Sequence, residues 1–112
     1  LHSLRRRQRQ MCIRDRAYYD DKPVGGIMYF VCNSRVVLAF YNCHIKEYRN
    51  LNSINFLVYY GIRWAKERGF KYIDLGTSAD MNIVRDSLIM FKESVGGVGV
   101  FRDYYLYRNQ TR

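Results

Sequence analysis

The stretch Lys71-Tyr72-Ile73-Asp74-Leu75-Gly76 reads as a short strand, and the segments flanking it decide the fold. Upstream, residues 53–68 have helical periodicity, with Ile54, Leu57, Val58, Ile62 and Ala65 on one apolar stripe. Phe56, Tyr60 and Trp64 form a second stripe at i, i+4, i+8. Such a helix is expected to pack on a sheet and against something else. Asn52 or Ser53 can cap its start, and Gly69 ends it. Downstream, residues 77–82 form a polar turn. A second helix, about residues 80–95, carries Val84, Leu88, Phe91 and Val95 on one stripe before Gly96-Gly97 stop it. A strand that ends in a glycine-polar turn between two helices is where α/β folds place ligands.

Outward from this unit, Ala17-Tyr18-Tyr19-Asp20 reads as the end of a strand, and Asp20-Asp21-Lys22-Pro23 as a turn with proline preset for its φ. Residues 24–32 form the next strand, where Gly25-Gly26 hints at a bulge or a close backbone approach. Asn33-Ser34 turns the chain into residues 35–43, a β-branched and aromatic strand. These three make an antiparallel meander. Joined to it through a helix, the 71–76 strand should pair parallel to its predecessor. Residues 98–108, with Phe101, Tyr104, Tyr105, Leu106 and Tyr107, read as a closing strand. The order is strand, strand, strand, helix, strand, helix, strand. The expected class is α/β (α+β) with a mixed sheet.

A chain of 112 residues is one domain at most. Its 48% hydrophobic and 16% aromatic content supports a packed core. No apolar run approaches the roughly 20 residues of a membrane-spanning helix. The formal charge of +9 suggests nucleic acid, but six of the 19 basic residues are the arginines of residues 1–16, set against Asp15 alone. That segment shows no helical or strand period and no secretory h-region. Its end, Met11-Cys12-Ile13-Arg14-Asp15-Arg16, resembles a translated sequencing adapter. Residues 1–16 are therefore expected to be an artefactual or disordered basic arm, and residues 17–112 the C-terminal part of a longer domain. A genuine arm would instead serve a nucleic-acid-binding module, with exposed aromatics as stacking platforms. Cys32 and Cys43 have neither C-x-x-C spacing nor a histidine cluster, so zinc is unsupported. They are expected as small core residues in a reducing, cytoplasmic compartment.

Three features occur together in order: the strand end Asp74-Leu75-Gly76-x-Ser78, the helix end Phe91-Lys92-x-x-x-Gly96-Gly97, and the aromatic final strand. With the element order, they resemble a GNAT-superfamily acyltransferase domain from its second strand onward, over residues 17–108, and especially its FemAB-like branch. The resemblance implies a partial GNAT (acyl-CoA N-acyltransferase) fold. It implies transfer from acyl-CoA (acetyl-CoA) to an amine acceptor, with no metal and no covalent enzyme intermediate. The FemAB-like branch implies aminoacyl-tRNA as donor and partner, and a peptidoglycan-precursor amine as acceptor. Without the upstream elements that wall the acceptor site, the chain would be an inactive fragment. Its open sheet edge would invite dimerisation.

The resemblance also points to site residues. The first crossover helix of that fold turns its N-terminus, rich in unpaired N–H groups, toward the cofactor pyrophosphate. Here that end is Arg49-Asn50-Leu51-Asn52-Ser53, and Arg49 can add a bidentate phosphate contact. The family signature Gln/Arg-x-x-Gly-x-Gly/Ala is broken, because Asn52 and Ile54 replace the small residues and restrict backbone approach to phosphate. The plainer reading is a helix cap beside a solvated arginine. Lys92 matches a reaction-centre lysine of the FemAB-like branch and can face an oxyanion or a phosphate; otherwise it snorkels beside a buried Phe91. Asp74, mid-strand, is a candidate general base for an amine or a structural carboxylate that needs partners. Thr77, Ser78 and Asp80 lie in the turn, where polar groups meet substrate, and Asp80 can alternatively cap the second helix. The catalytic candidates are thus Lys92, Asp74 and Ser78. His44 reads as a loop residue. A tyrosine of the last strands is a candidate acid for a leaving thiolate.

Overall fold

The computed structural model describes residues 12–110. Strands β1 (Cys12–Tyr19), β2 (Lys22–Val31) and β3 (Val36–His44) form the antiparallel meander. Helix α1 (Ser53–Glu67) carries the chain to β4 (Tyr72–Asp74), which pairs parallel to β3 and completes the order β1-β2-β3-β4. A short hairpin of β5 (Ala79–Asp80) and β6 (Ile83–Val84) then leads into α2 (Asp86–Ser94). The mixed α/β class and the parallel crossover are as expected.

β1 begins at Cys12, ahead of the expected strand end, and pairs Arg14, Asp15 and Arg16 with Met28, Ile27 and Gly26. These residues do alternate: Ile13 and Asp15 are half-buried, Arg14 and Arg16 exposed, Ala17 buried. An acidic residue at an inward position hid the period, and burial raises the Asp15 pKa. The remainder of the arm lies outside the described residues. The β1–β2 turn is centred on Asp20 and Asp21, both at positive φ (49° and 62°), as a two-residue hairpin of right-handed strands requires. Pro23 lies in β2, opposite Tyr18. The bulge hinted at by Gly25-Gly26 is present: the register skips Val24 between Ala17 and Tyr18. A second bulge skips Phe40 in β3. Between β2 and β3, Asn33 Oδ1 accepts from the Arg35 and Val36 N–H groups at 2.8 and 3.0 Å. Cys32 and Cys43, expected in the core, are both exposed.

The core joins Ala17, Val24, Ile27, Tyr29 and Val37 of the sheet to Leu57 and Val58 of α1. Both helices end as their glycines demand. Gly69 (φ +80°) follows α1, with its N–H on Lys66 O and the Phe70 N–H on Ala65 O. Phe70 stacks on Trp64 at 5.6 Å, the apolar contact that accompanies this cap. The second stripe of α1 is otherwise open: Phe56 and Tyr60 are exposed, so among the described residues the helix is covered on one side.

Two expectations near the C-terminus are corrected. The second helix starts at Asp86 because Met81 and Asn82 adopt positive φ (49° and 65°) and close the β5–β6 hairpin. Val84 is therefore an exposed strand residue, and Asp80 a strand residue instead of a cap. Residues 98–108 form no strand and make no sheet pairing among the described residues. Among the described residues no helix is long and apolar enough to cross a membrane.

Candidate functional site

The site is built where the C-terminal end of β3 meets the start of α1. A six-residue 3-10 helix, Lys46–Leu51, delivers the chain to Asn52, whose N–H bonds Arg49 O at 3.2 Å. Asn52 is left-handed (φ 53°, ψ 43°) and its side chain caps nothing. The caps expected of Asn52 or Ser53 are thus not made by the residue that flanks the helix. The Asn52 carbonyl accepts the Phe56 N–H at 3.2 Å. The N–H groups of Ser53, Ile54 and Asn55 consequently have no partner within the helix. Ser53 is buried against β2, where a Cβ on Gly25 would lie 2.4 Å from its Oγ. That glycine lets the strand close on the helix start.

A cleft of 270 Å³ opens at these N–H groups, bordered by Asn42, His44, Arg49, Asn52, Ser53 and Asn55, with Leu88 and Phe91 of α2 on its far wall. Three of the five expected cofactor residues line it. Asn50 and Leu51 do not; both are exposed on the 3-10 helix. His44 and Asn42 were not singled out as site residues. Their position at the carboxyl end of a strand, beside a crossover helix, is the signal that could have found them.

The broken signature has a geometric counterpart. Asn52 holds a left-handed backbone, which glycine adopts freely and asparagine tolerates better than other residues. Asparagine at the signature's first small position thus sustains a left-handed turn. Asn52→Val is expected to cost about 1–2 kcal/mol of stability in urea unfolding, and Asn52→Gly to be nearly neutral. Equal losses for both variants would show that the left-handed turn is not what position 52 requires.

Beyond Leu88 lies a second cleft of 530 Å³, lined by Thr77, Ala79, Asp80, Arg85, Ser87 and Leu88. Leu88 borders both spaces. The three catalytic candidates cluster beneath the wall of the second cleft. Lys92 Nζ donates to Gly76 O at 3.0 Å, Thr77 O at 2.7 Å and Ser78 Oγ at 3.0 Å. Its three donors are thereby all engaged, which is neither snorkelling nor a free ammonium. Burial pulls its pKa below the ordinary lysine value, against the opposing pull of Asp74. Asp74 Oδ1 accepts the Gly76 N–H at 2.8 Å, and its Oδ2 pairs with Arg102. Both carboxylate oxygens are occupied, as a half-buried carboxylate requires. The Asp80–Arg85 pair at 3.0 Å is exposed and contributes little.

The acetyltransferase (GNAT) domain family matches residues 2–83 of this chain. No curated protein matches it in sequence. Among solved structures, it is similar to the aminoglycoside 6'-N-acetyltransferase AAC(6')-Ih from Acinetobacter baumannii, at 20% identity and TM-score 0.67, over 98% of this chain and 80% of that one. The aminoglycoside N-acetyltransferase AAC(6')-Iy, solved in complex with CoA, superposes with TM-score 0.70 at 17% identity, covering 98% of this chain and 90% of its own. The aminoglycoside acetyltransferase meta-AAC0020, from an uncultured soil metagenomic sample and in complex with sisomicin, gives 0.68 at 14% identity, over 98% and 73%. At these identities the likeness is one of fold.

Proposed function

The chain belongs to the acetyltransferase (GNAT) domain family, and from that premise we propose that it transfers an acyl group from acyl-CoA to an amine, in the cytoplasm. The observation that carries the reading is the 270 Å³ cleft at the uncapped start of α1. Unpaired N–H groups at a helix N-terminus favour an anion through both hydrogen bonding and the helix dipole. Arg49 adds a formal charge at the same opening. In this reading the CoA pyrophosphate sits at Arg49, Asn52 and Ser53, and the acyl thioester points past Leu88. The acceptor amine occupies the 530 Å³ cleft, among Thr77, Ser87 and the Asp80–Arg85 pair. The amine nitrogen attacks the thioester carbonyl. A C–N bond forms, the oxyanion collapses, and the C–S bond breaks. The amine's proton leaves with solvent or a base, and the thiolate takes a proton on departure. Lys92, bonded to Thr77 O and Ser78 Oγ, holds the cleft wall from beneath.

An aminoacyl-tRNA donor with a peptidoglycan-precursor amine is the second reading. Ile54, at the second small position of the signature, favours it. Asn52, which keeps the turn geometry of the first, favours acyl-CoA.

Calorimetric titration with CoA separates the two. The full chain is expected to bind CoA, and Arg49→Ala to weaken binding about 10-fold, the loss of one charge-assisted contact. Thiol release from acetyl-CoA should depend on an added amine, with an aminoglycoside such as sisomicin among those tried. No CoA binding and no thiol release with any amine would sink the acyl-CoA reading.

A further inference from the structure

The charges on the wall of the 530 Å³ cleft say which amines fit it. Among its lining residues Arg85 is the one cation and Asp80 the one anion, so the formal charge of the wall is zero. The two are joined to each other, Arg85 Nη2 to Asp80 Oδ2 at 3.0 Å. A plain cation therefore meets a carboxylate that is already neutralised. Neither partner is spent, however. A guanidinium carries a fork of N–H donors and a carboxylate two oxygens, and among the described residues the pair uses one donor and one oxygen. Both side chains are more than half exposed, at 58% and 62%. The pair thus contributes little to the fold, and its remaining groups are open to a ligand. The main chain beneath it is fixed. The Arg85 N–H donates to Ser78 O at 2.9 Å, and Arg85 O accepts from the Leu88 and Ile89 N–H groups at 3.1 Å. Ser78 is itself held by Lys92.

We propose that the acceptor is an α-amino acid, its carboxylate on the Arg85 fork and its amine beside the Asp80 oxygen that Arg85 leaves open. Such a ligand sets opposite charges side by side, as the ion pair does, and laid against the pair in reverse order it makes the four charges alternate. That arrangement attracts a zwitterion although the wall has no net charge. A polyamine, positive throughout, gains no such alternation. The guanidinium also takes a carboxylate bidentately, which a lysine in its place would not. Ser87 adds a hydroxyl to the same wall. The reaction rests on the acyl-transfer reading; the binding rests on the cleft alone. The ammonium gives one proton to solvent, and the neutral nitrogen attacks the thioester carbonyl. A C–N bond forms, the nitrogen's second proton leaves as the C–S bond breaks, and the departing thiolate is protonated. The product is an N-acyl amino acid with its carboxylate intact. It has lost the charge that faced Asp80, so it is held more weakly than the substrate.

NMR titration of the isotope-labelled full chain with L-leucine and with leucinamide tests the binding without any donor. Leucinamide keeps the amine and lacks the carboxylate. The amide signals of residues 85–88 are expected to shift saturably with L-leucine, and leucinamide to bind about 10-fold more weakly, the loss of a charge-assisted contact. Arg85→Met should bring the two affinities together. Arg85→Lys, which keeps the charge without the fork, should retain part of the preference. Circular dichroism checks that both variants keep the fold. With acetyl-CoA added, thiol release should show the same preference in kcat/KM. Equal affinity for the two ligands, no shift at residues 85–88, or a preference that survives Arg85→Met would overturn the proposal. Thiol release as ready with leucinamide as with L-leucine would also overturn it, while acyl transfer stood. L-leucine bound at residues 85–88 of a chain that binds no CoA would keep the amino-acid site and sink the acyl-CoA donor.

Discussion

Gly61→Ala is expected to destabilise the fold by about 2 kcal/mol or more, although alanine is the better helix former. Two effects compete at this position. In the interior of α1, replacing glycine by alanine gains roughly 1 kcal/mol of helix propensity. Against it stands the Tyr29 ring. A Cβ on Gly61 would lie 2.1 Å from the Tyr29 hydroxyl oxygen and 2.4 Å from the ring carbon that bears it. Tyr29 cannot step aside: it is 1% exposed on the central strand β2, and its hydroxyl donates to Leu57 O at 3.1 Å. The helix must lift, which loosens Leu57, Val58 and Ala65 together. Overpacking of a rigid core costs about 1–3 kcal/mol, occasionally more, so the clash outweighs the propensity. Tyr29→Phe should rescue Gly61→Ala in part, because it removes the nearer contact and leaves the ring. Alkali reads the same contact. Burial first, and then the Asp15 charge, raise the Tyr29 phenol pKa. A raised folded value means the stability is whole below the ordinary 10.0 and is lost as pH climbs above it. Urea midpoints of the three variants settle the matter, and a Gly61→Ala protein as stable as its parent would refute the account.

How much of this was legible in the sequence depended on whether the deciding force was local. The end of α1 was, because Gly69 alone can take its left-handed cap cheaply. So was the parallel pairing of β4, which a helical crossover allows and a tight hairpin does not. The tight seat of Tyr29 on Gly61 was not, since it joins residues on two elements that no periodicity links. The strand pairing of residues 12–16 was not legible, because Asp15 faces inward and breaks an otherwise regular alternation of apolar and polar side chains. The hairpin at Met81-Asn82 was missed because methionine gives no turn signal. Residues 98–108 show the converse error. Their strand composition is genuine, but propensity supplies no partner, and they pair with nothing among the described residues. At the site, asparagine at position 52 of the signature reads as a side chain that restricts backbone approach to phosphate. The sequence shows asparagine where the signature has glycine, whereas the backbone shows a left-handed residue, the conformation glycine adopts most freely.

Lys92→Met is expected to lower kcat/KM for acyl transfer about 100-fold while leaving stability within roughly 1 kcal/mol. The separation follows from what the ammonium does. It grips the carbonyls of Gly76 and Thr77 and the Ser78 hydroxyl, and so sets the wall of the 530 Å³ cleft from beneath. Leu88, one turn earlier on α2, faces both clefts. Releasing the loop leaves a reacting amine misplaced by about an ångström, a shift that can cost two orders of magnitude. Stability responds differently. Burial lowers the Lys92 pKa, so the charged form is disfavoured in the fold. Between the depressed value and the ordinary 10.5, the unfolded chain holds more protons, and stability rises with pH. Methionine deletes this cost together with the three hydrogen bonds, and water can reach Gly76 and Thr77, which are exposed. The two changes nearly cancel. The pH profile distinguishes a lysine that positions the loop from a merely structural one. Loss of its proton removes one donor from the grip, so wild-type activity should fall on an alkaline limb below pH 10.5 that the methionine variant lacks. Faster hydrogen exchange confined to residues 76–79 of the variant would mark the loop as the element released. A Lys92→Met enzyme with unchanged kcat/KM would place the wall of the cleft beyond this lysine's reach.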